Sequence, residues 1–168
     1  MAVPVAAVRS VLCGIALLLA CTACSTPGTA PAQPVIGTAA PGLLRPAPGG
    51  DGDSWKDIRG REYRLGLVNA PEYDECFGTE ATRERKRLVA SGFRADSYMI
   101  DRYGRHVSDV TLADGRDLNV LLAEEGFVDD RYLAQFRHEN PALAGRLDVA
   151  FRSARAARVG LWGSCAAR

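Results

Sequence analysis

Residues 62–72 read EYRLGLVNAPE. Tyr63, Leu65 and Leu67 alternate with Arg64, Gly66 and Val68, and that period of two predicts a half-buried strand over Glu62–Asn69, stopped by Pro71. A short partner around Ser54–Ile58 and a turn at Arg59-Gly60 make it the second arm of a hairpin. Downstream, Thr79 to Ser91 carries helix formers, Thr79 as N-cap, the i,i+3 pair Glu84 and Arg87, and Gly92 as a stop, and is read as a surface helix. Tyr98–Asp101 and His106–Leu112 read as strands, the second ending at the turn Ala113-Asp114-Gly115. Leu118, Leu121 and Leu122 then share one face of a short helix ended by Gly126. Asn140-Pro141 caps a longer helix in which Leu143, Leu147, Phe151 and Ala154 recur at helical spacing before Gly160. Tyr98, Phe127 and Trp162 are most simply core residues. Strands, helix, strands, helix, helix is an α+β order, contained within residues 51–168.

Upstream the composition changes. Residues 1–50 contain Arg9 and Arg45 and no acid, which leaves 19 basic and 20 acidic residues in 51–168. A nearly neutral domain excludes a basic protein that coats nucleic acid. The apolar run Val11–Ala20, VLCGIALLLA, is too short to span a bilayer as a helix and reads as the core of a signal peptide, residues 1–20. Leu18-Leu19-Ala20-Cys21 resembles the lipobox of bacterial lipoproteins, which implies that Cys21 is acylated after cleavage. Cleavage near Ala23, or acylation at Cys24, is the alternative. Residues 21–50, which hold six of the nine prolines after Ser25 and almost no charge, form a tether. The expected location is extracytoplasmic, held to the membrane by lipid.

The address determines the cysteine arithmetic. With Cys13 removed and Cys21 lipidated, Cys24 remains in the tether and Cys76 and Cys165 in the domain. Outside the cytoplasm the last two are expected to form a disulfide, the alternative being two free thiols. Closing a loop of roughly 90 residues stabilises by about 4–5 kcal/mol from chain entropy. No CxxC or nearby histidine pair completes a zinc set around them.

Polar residues gather in three places: Asp51-Gly52-Asp53-Ser54, Arg64 with Asn69-Ala70-Pro71-Glu72, and Asp101-Arg102-Tyr103-Gly104-Arg105. Arginine forks match phosphate oxygens, carboxylates hold hard cations, and a glutamate orients or deprotonates water, so the set suits phosphate chemistry. His106 and His138 have no partner at metal or triad spacing. Asp51 is read as a turn residue.

In this order DGDS, YRLGLVNAPE, GTEA, DRYGR, ADGRDLNVLLAEEGF and GLW resemble the staphylococcal nuclease (thermonuclease) family over most of residues 51–163. The resemblance implies an OB-fold-like five-stranded β-barrel with three helices. It implies Ca²⁺ bound by Asp53 and by Asn69, which stands where the family usually has a second Asp. Glu72 is implied to position or deprotonate the attacking water, and Arg64 and Arg105 to clamp the scissile phosphate. Tyr103 and Tyr132 are implied platforms for substrate bases, and the Cys76–Cys165 pair recurs in secreted relatives. DNA or RNA is the implied substrate; no protein partner is implied, and a monomer is expected. Asn for Asp removes one negative charge from the metal site, and Pro46 and Pro48 in PGLLRPAPGG do not suit the strand that would open the barrel. The alternative functions are a related domain that binds a polyanion or partner without turnover, and a structural envelope lipoprotein.

Overall fold

The computed structural model describes residues 42–165, all within one compact unit. The predicted signal peptide, Cys21, Cys24 and most of the tether lie outside the described residues.

The hairpin forms as read but its second arm is shorter. Strand β1 (Ser54–Lys56) pairs antiparallel with β2 (Glu62–Leu65), placing Ser54 opposite Arg64. The strand expected to reach Asn69 stops at Leu65 because the chain turns at Gly66 and Leu67, the latter in the left-handed region at φ 62°. A side chain at position 66 would meet the hydroxyl of Tyr98, 1.9 Å from where a Cβ would sit, so the bare backbone lets the Tyr98 ring pack against the turn. The chain extends again at Asn69, which forms an isolated bridge with Asp129.

Helix α1 (Gly78–Val89) begins at Phe77 in a left-handed conformation rather than on the hydroxyl of Thr79. It is not merely a surface helix: Ala81, Thr82, Arg85, Leu88 and Val89 are buried. Strand β3 (Phe93–Ile100) starts five residues earlier than expected and pairs antiparallel with β4 (His106–Leu112). The two strands slip past one another between Ser97 and Met99, leaving Tyr98 at a bulge. β4 also pairs parallel with β2, giving a mixed sheet of order β1-β2-β4-β3.

Helix α2 (Leu118–Glu124) is capped by Asp117, whose side chain accepts from the Val120 N–H. Helix α4 (Pro141–Ala157) is capped by Asn140 and ends on Arg158 at φ 53°, two residues before the glycine expected to stop it. Two four-residue helices, α3 (Leu133–Phe136) and α5 (Leu161–Ser164), were not legible as separate elements. The three longer helices are the three expected.

Among the described residues four strands stand where five were expected. Residues 44–47 do what the missing strand would: they join the two edges of the sheet. Leu44 exchanges backbone hydrogen bonds with Phe93 at the β3 edge (2.8 and 3.0 Å). Ala47 N–H donates to Lys56 O (2.8 Å) and Ile58 N–H to Arg45 O (3.0 Å) at the β1 edge. The two prolines are tolerated because the flanking residues carry the donors. The resulting fold is an α+β, OB-like one whose ring is closed by a bridge instead of a full strand.

The core is built on Trp55, Tyr63 and Phe93, with Phe93 edge-on to both other rings (centroids 5.2 and 5.3 Å). Leu118, Leu122, Leu143, Leu147 and Phe151 bring α2 and α4 onto the sheet. Phe127 and Trp162 pack at the margin of this core, and Tyr98 is half-buried at the bulge, so none of the three is fully internal. Cys76 and Cys165 are disulfide-bonded, tying the loop after Pro71 to the C-terminal end of the domain.

Candidate active site

The hairpin and the β3–β4 turn bring two arginines to one place. Arg64 leaves β2 opposite Ser54, and Arg105 ends the turn that enters β4. Asp53 and Ser54 connect them. Arg64 Nη1 lies 3.2 Å from Asp53 Oδ2. Ser54 Oγ donates to Asp53 Oδ1 (2.8 Å), and Arg105 Nη1 donates to Ser54 Oγ (3.3 Å). Arg105 is also held by Asp101, through Nε–Oδ2 at 2.8 Å and Nη2–Oδ2 at 2.7 Å. Arg64 therefore pairs with Asp53 rather than with Glu72.

Each arginine carries a tyrosine. Arg64 lies over the Tyr132 ring and Arg105 over the Tyr103 ring, both at 5.2 Å from the centroid. Arg64, Arg105, Tyr98, Met99, Tyr103 and Tyr132 line a cleft of about 480 Å³, room for a base and its phosphate. The exposed Tyr103 and the half-buried Tyr132 offer stacking surfaces at its rim.

Asp53 is buried, and its setting is prepared by its own loop. Asp51 Oδ1 accepts the N–H groups of Asp53 (3.1 Å) and Ser54 (2.7 Å), the turn role expected of it. Asp53 Oδ2 accepts from the Ala70 N–H at 2.8 Å, which locks the DGDS turn to the segment that carries Glu72. Burial pushes the Asp53 carboxyl above its ordinary range, with Arg64 acting against that rise. Asp101 goes the other way: although burial opposes it, the hydrogen bonds from Arg105 and Tyr103 hold its carboxyl below the usual range.

Asn69 is buried, and its Nδ2 donates to Asp129 Oδ2 at 3.2 Å. Its neighbour Ala70 touches Asp53, so the two expected cation ligands lie beside one another in the fold, but the Asn69 amide is engaged across the bridge. Glu72 is exposed on the loop after Pro71, with its N–H tied to Glu75 Oε2 (2.9 Å). Gly78 closes that loop against α1; a Cβ there would sit 1.7 Å from Glu72 O.

The donors available to a cation are hard oxygens, the Asp53 carboxylate and the Asn69 amide oxygen, which is the chemistry calcium accepts. Among the described residues no three histidine, cysteine or acidic side chains converge into a metal-holding group. The set fits a cation that takes its remaining ligands from water and from substrate phosphate.

Sequence reasoning missed two residues. Arg85 went unremarked in a segment read as a surface helix, yet it is 1% exposed. Its Nε donates to Asp51 O (2.8 Å), its Nη2 to Gly49 O (3.0 Å), and its guanidinium lies 5.2 Å from the Trp55 ring centroid. Burial lowers its pKa to about 10. The signal was available only as position: Arg85 falls on the same helical stripe as Ala81, Leu88 and Val89. Asp129 followed a core valine, Val128, and gave no signal apart from that.

An OB-like α+β domain with two arginines joined through a carboxylate at the mouth of a tyrosine-lined cleft is the arrangement of a nuclease-related class. Residues 62–164 match the family described as "Staphylococcal nuclease homologue", and the chain belongs to that family. It is also similar to an uncharacterized 38.1 kDa protein of Capnoides sempervirens, 34% identical over 116 residues, which are 67% of this chain and 32% of that relative. The chain thus spans about a third of the length of the curated relative it matches.

Proposed function

We propose that this chain hydrolyses phosphodiester bonds of DNA or RNA in a calcium-dependent reaction. The observation that carries this reading is the convergence of Arg64 and Arg105 on one cleft, cross-linked through Asp53 and Ser54. Two guanidinium forks so placed hold the non-bridging oxygens of one phosphate and oppose the charge that builds as water adds to phosphorus. Water attacks in line, a P–O bond to water forms, and the bond to the leaving sugar oxygen breaks. Glu72, exposed on a loop rooted at Asp53 through Ala70, takes the proton from that water. Tyr132 and Tyr103 stack flanking bases, which favours unpaired strands because a base inside a duplex has no free face to offer. Calcium bound through Asp53 and Asn69 would polarise the phosphate and make the water more acidic.

The domain is nearly neutral, so affinity rests on these few contacts rather than on a basic surface. The leader and Cys21 support an extracytoplasmic enzyme tethered by lipid, where calcium near millimolar fills a weak site. Among the described residues no helix is long and apolar enough to cross a membrane. The engagement of the Asn69 amide by Asp129 favours a second reading, a domain that binds oligonucleotide without cutting it.

One assay separates them. The disulfide-bonded chain is incubated with denatured DNA and with RNA in millimolar Ca²⁺ or chelator, alongside Glu72→Gln. Calcium-dependent cleavage abolished by Glu72→Gln is the expected result. Folded protein that binds oligonucleotide and never cleaves it would establish the second reading.

A further inference from the structure

Asn69 and Asp129 form a closed pair. Asn69 N–H donates to Asp129 O at 3.0 Å and Asp129 N–H to Asn69 O at 2.7 Å, so the two backbones are fixed against each other. Each residue is only 7% exposed. The side chains meet between the backbones, Asn69 Nδ2 donating to Asp129 Oδ2 at 3.2 Å, while Asp129 Oδ1 accepts the Arg131 N–H at 3.0 Å. A carboxylate at position 69 would bring two acceptor oxygens face to face at about the distance of the Nδ2–Oδ2 contact, with no donor between them to replace the Asn69 side-chain N–H. The pair therefore admits one carboxylate and one amide. Because the amide nitrogen is committed to Asp129, the atom of Asn69 left to accept or ligate is Oδ1.

We infer that Asp129 is a positioning residue of the cation site: it fixes the Asn69 amide with Oδ1 as the free oxygen, and its carboxylate, 3.9 Å from the exposed Arg131 guanidinium, stands across the bridge from position 69, which carries no charge. This inference rests on the calcium reading above and deepens it. Asp53 joins the same neighbourhood through the Ala70 N–H, one residue along the chain from Asn69. The arrangement accounts for the asparagine as half of a matched pair rather than as a lost ligand.

The test is a rescue measured by calcium binding. Isothermal titration of CaCl₂ into the full disulfide-bonded chain compares wild type, Asp129→Asn and the swap Asn69→Asp/Asp129→Asn, each with its melting temperature in chelator as a check on folding. Asp129→Asn removes the charge and frees the facing amides to rotate, so calcium binding is expected to weaken tenfold or more. The swap keeps one charge and one amide-to-carboxylate hydrogen bond, so it is expected to fold and to bind within threefold of wild type or more tightly. Wild-type affinity in Asp129→Asn would overturn the inference. So would a folded double variant as weak as Asp129→Asn, because the loss would then belong to packing at position 129. Folded wild type that takes up no calcium would overturn the calcium reading itself, a distinct failure, and the inference with it.

Discussion

The arginine cluster at the cleft and the segment that carries Asn69 and Glu72 are built differently. On the arginine side every charged group has a partner: Arg64 holds Asp53, Asp53 holds Ser54, Ser54 meets Arg105, and Arg105 holds Asp101. On the loop side Glu72 stands exposed between Pro71 and α1, and the Asn69 amide nitrogen is engaged by Asp129. Groups that grip a phosphate gain from being fixed before substrate arrives, since their reorganisation is then complete at the moment charge develops. In the proposed reaction the Glu72 carboxylate receives a proton from water, which it can do from an exposed position provided its loop is anchored. Here three ties anchor it: the Asp53–Ala70 hydrogen bond, the close fit of Gly78 under Glu72, and the disulfide at Cys76.

The largest expected effect breaks the fixed side. Arg64→Lys keeps the charge but loses the fork, the Asp53 pairing geometry and the stack on Tyr132, so kcat should fall about a thousandfold with a much smaller change in KM, a loss near 4 kcal/mol in the transition state. Steady-state kinetics on denatured DNA decide it; equal losses in kcat and in binding would mean that Arg64 holds ground state and transition state alike. Next comes the anchored side. Cys76→Ser with Cys165→Ser opens an 89-residue separation and should cost about 2–5 kcal/mol, read as a lower melting temperature by calorimetry. At a temperature where the variant stays folded, kcat should fall while oligonucleotide affinity holds, because the loop that loosens carries Glu72 and not the arginines.

Arg85→Met probes how the fixed side is held from behind. It removes the donors to Gly49 O and Asp51 O while keeping most of the bulk against Trp55. Losing two hydrogen bonds from a buried guanidinium to the Gly49 and Asp51 carbonyls should cost about 2 kcal/mol, offset in part by the charge no longer buried. Asp53 then loses the support of its turn, and turnover should drop roughly tenfold by the same kinetics, in proportion to about 1.4 kcal/mol. Thermal denaturation with unchanged kcat would show that the 49–51 backbone keeps its place without Arg85.

What could be read in the chain beforehand follows the same division. The alternation at Tyr63, Leu65 and Leu67, the turn signals and the Asn140-Pro141 cap are local, and they placed the hairpin, β4, α2 and α4 within a few residues. Arg64, Arg105, Asp53 and Tyr103 stood out because short motifs carry them, whereas Tyr132 lies in none. Contacts between distant segments were not legible. Nothing local says that Gly66 must be bare because Tyr98 arrives from a bulge 32 residues later, so the strand was drawn through a turn. Leu44 and Ala47 close the ring by backbone bonds that proline-rich composition hides. The Asn69–Asp129 pair spans 60 residues, and read alone the asparagine looked only like a missing charge.

The smallest effect separates the site from the scaffold by pH. Asp109 on β4 and Asp117 at the start of α2 share Arg146 of α4, whose Nη2 lies 2.6 Å from Asp109 Oδ2. Burial first, then the neighbouring Asp117, push the Asp109 carboxyl up to about 6, with Arg146 opposing the rise. An unfolded aspartate titrates near 4. Between about pH 4 and 6 the folded chain therefore binds more protons than the unfolded one, and stability from this group falls as pH rises through that window. Asp109→Asn should flatten the slope, so that the gain in melting temperature on going from pH 7 to pH 5 shrinks by a few degrees. Asp53 and Glu125 are raised as well and contribute slope of the same sign. The slope that persists in Asp109→Asn then reports on them, and adding Asp53→Asn to that background should remove a further part if the fixed side of the cleft holds a carboxyl against its burial. An Asp109→Asn protein with the wild-type slope would place the titration outside the β4–α2–α4 joint and return it to the cleft.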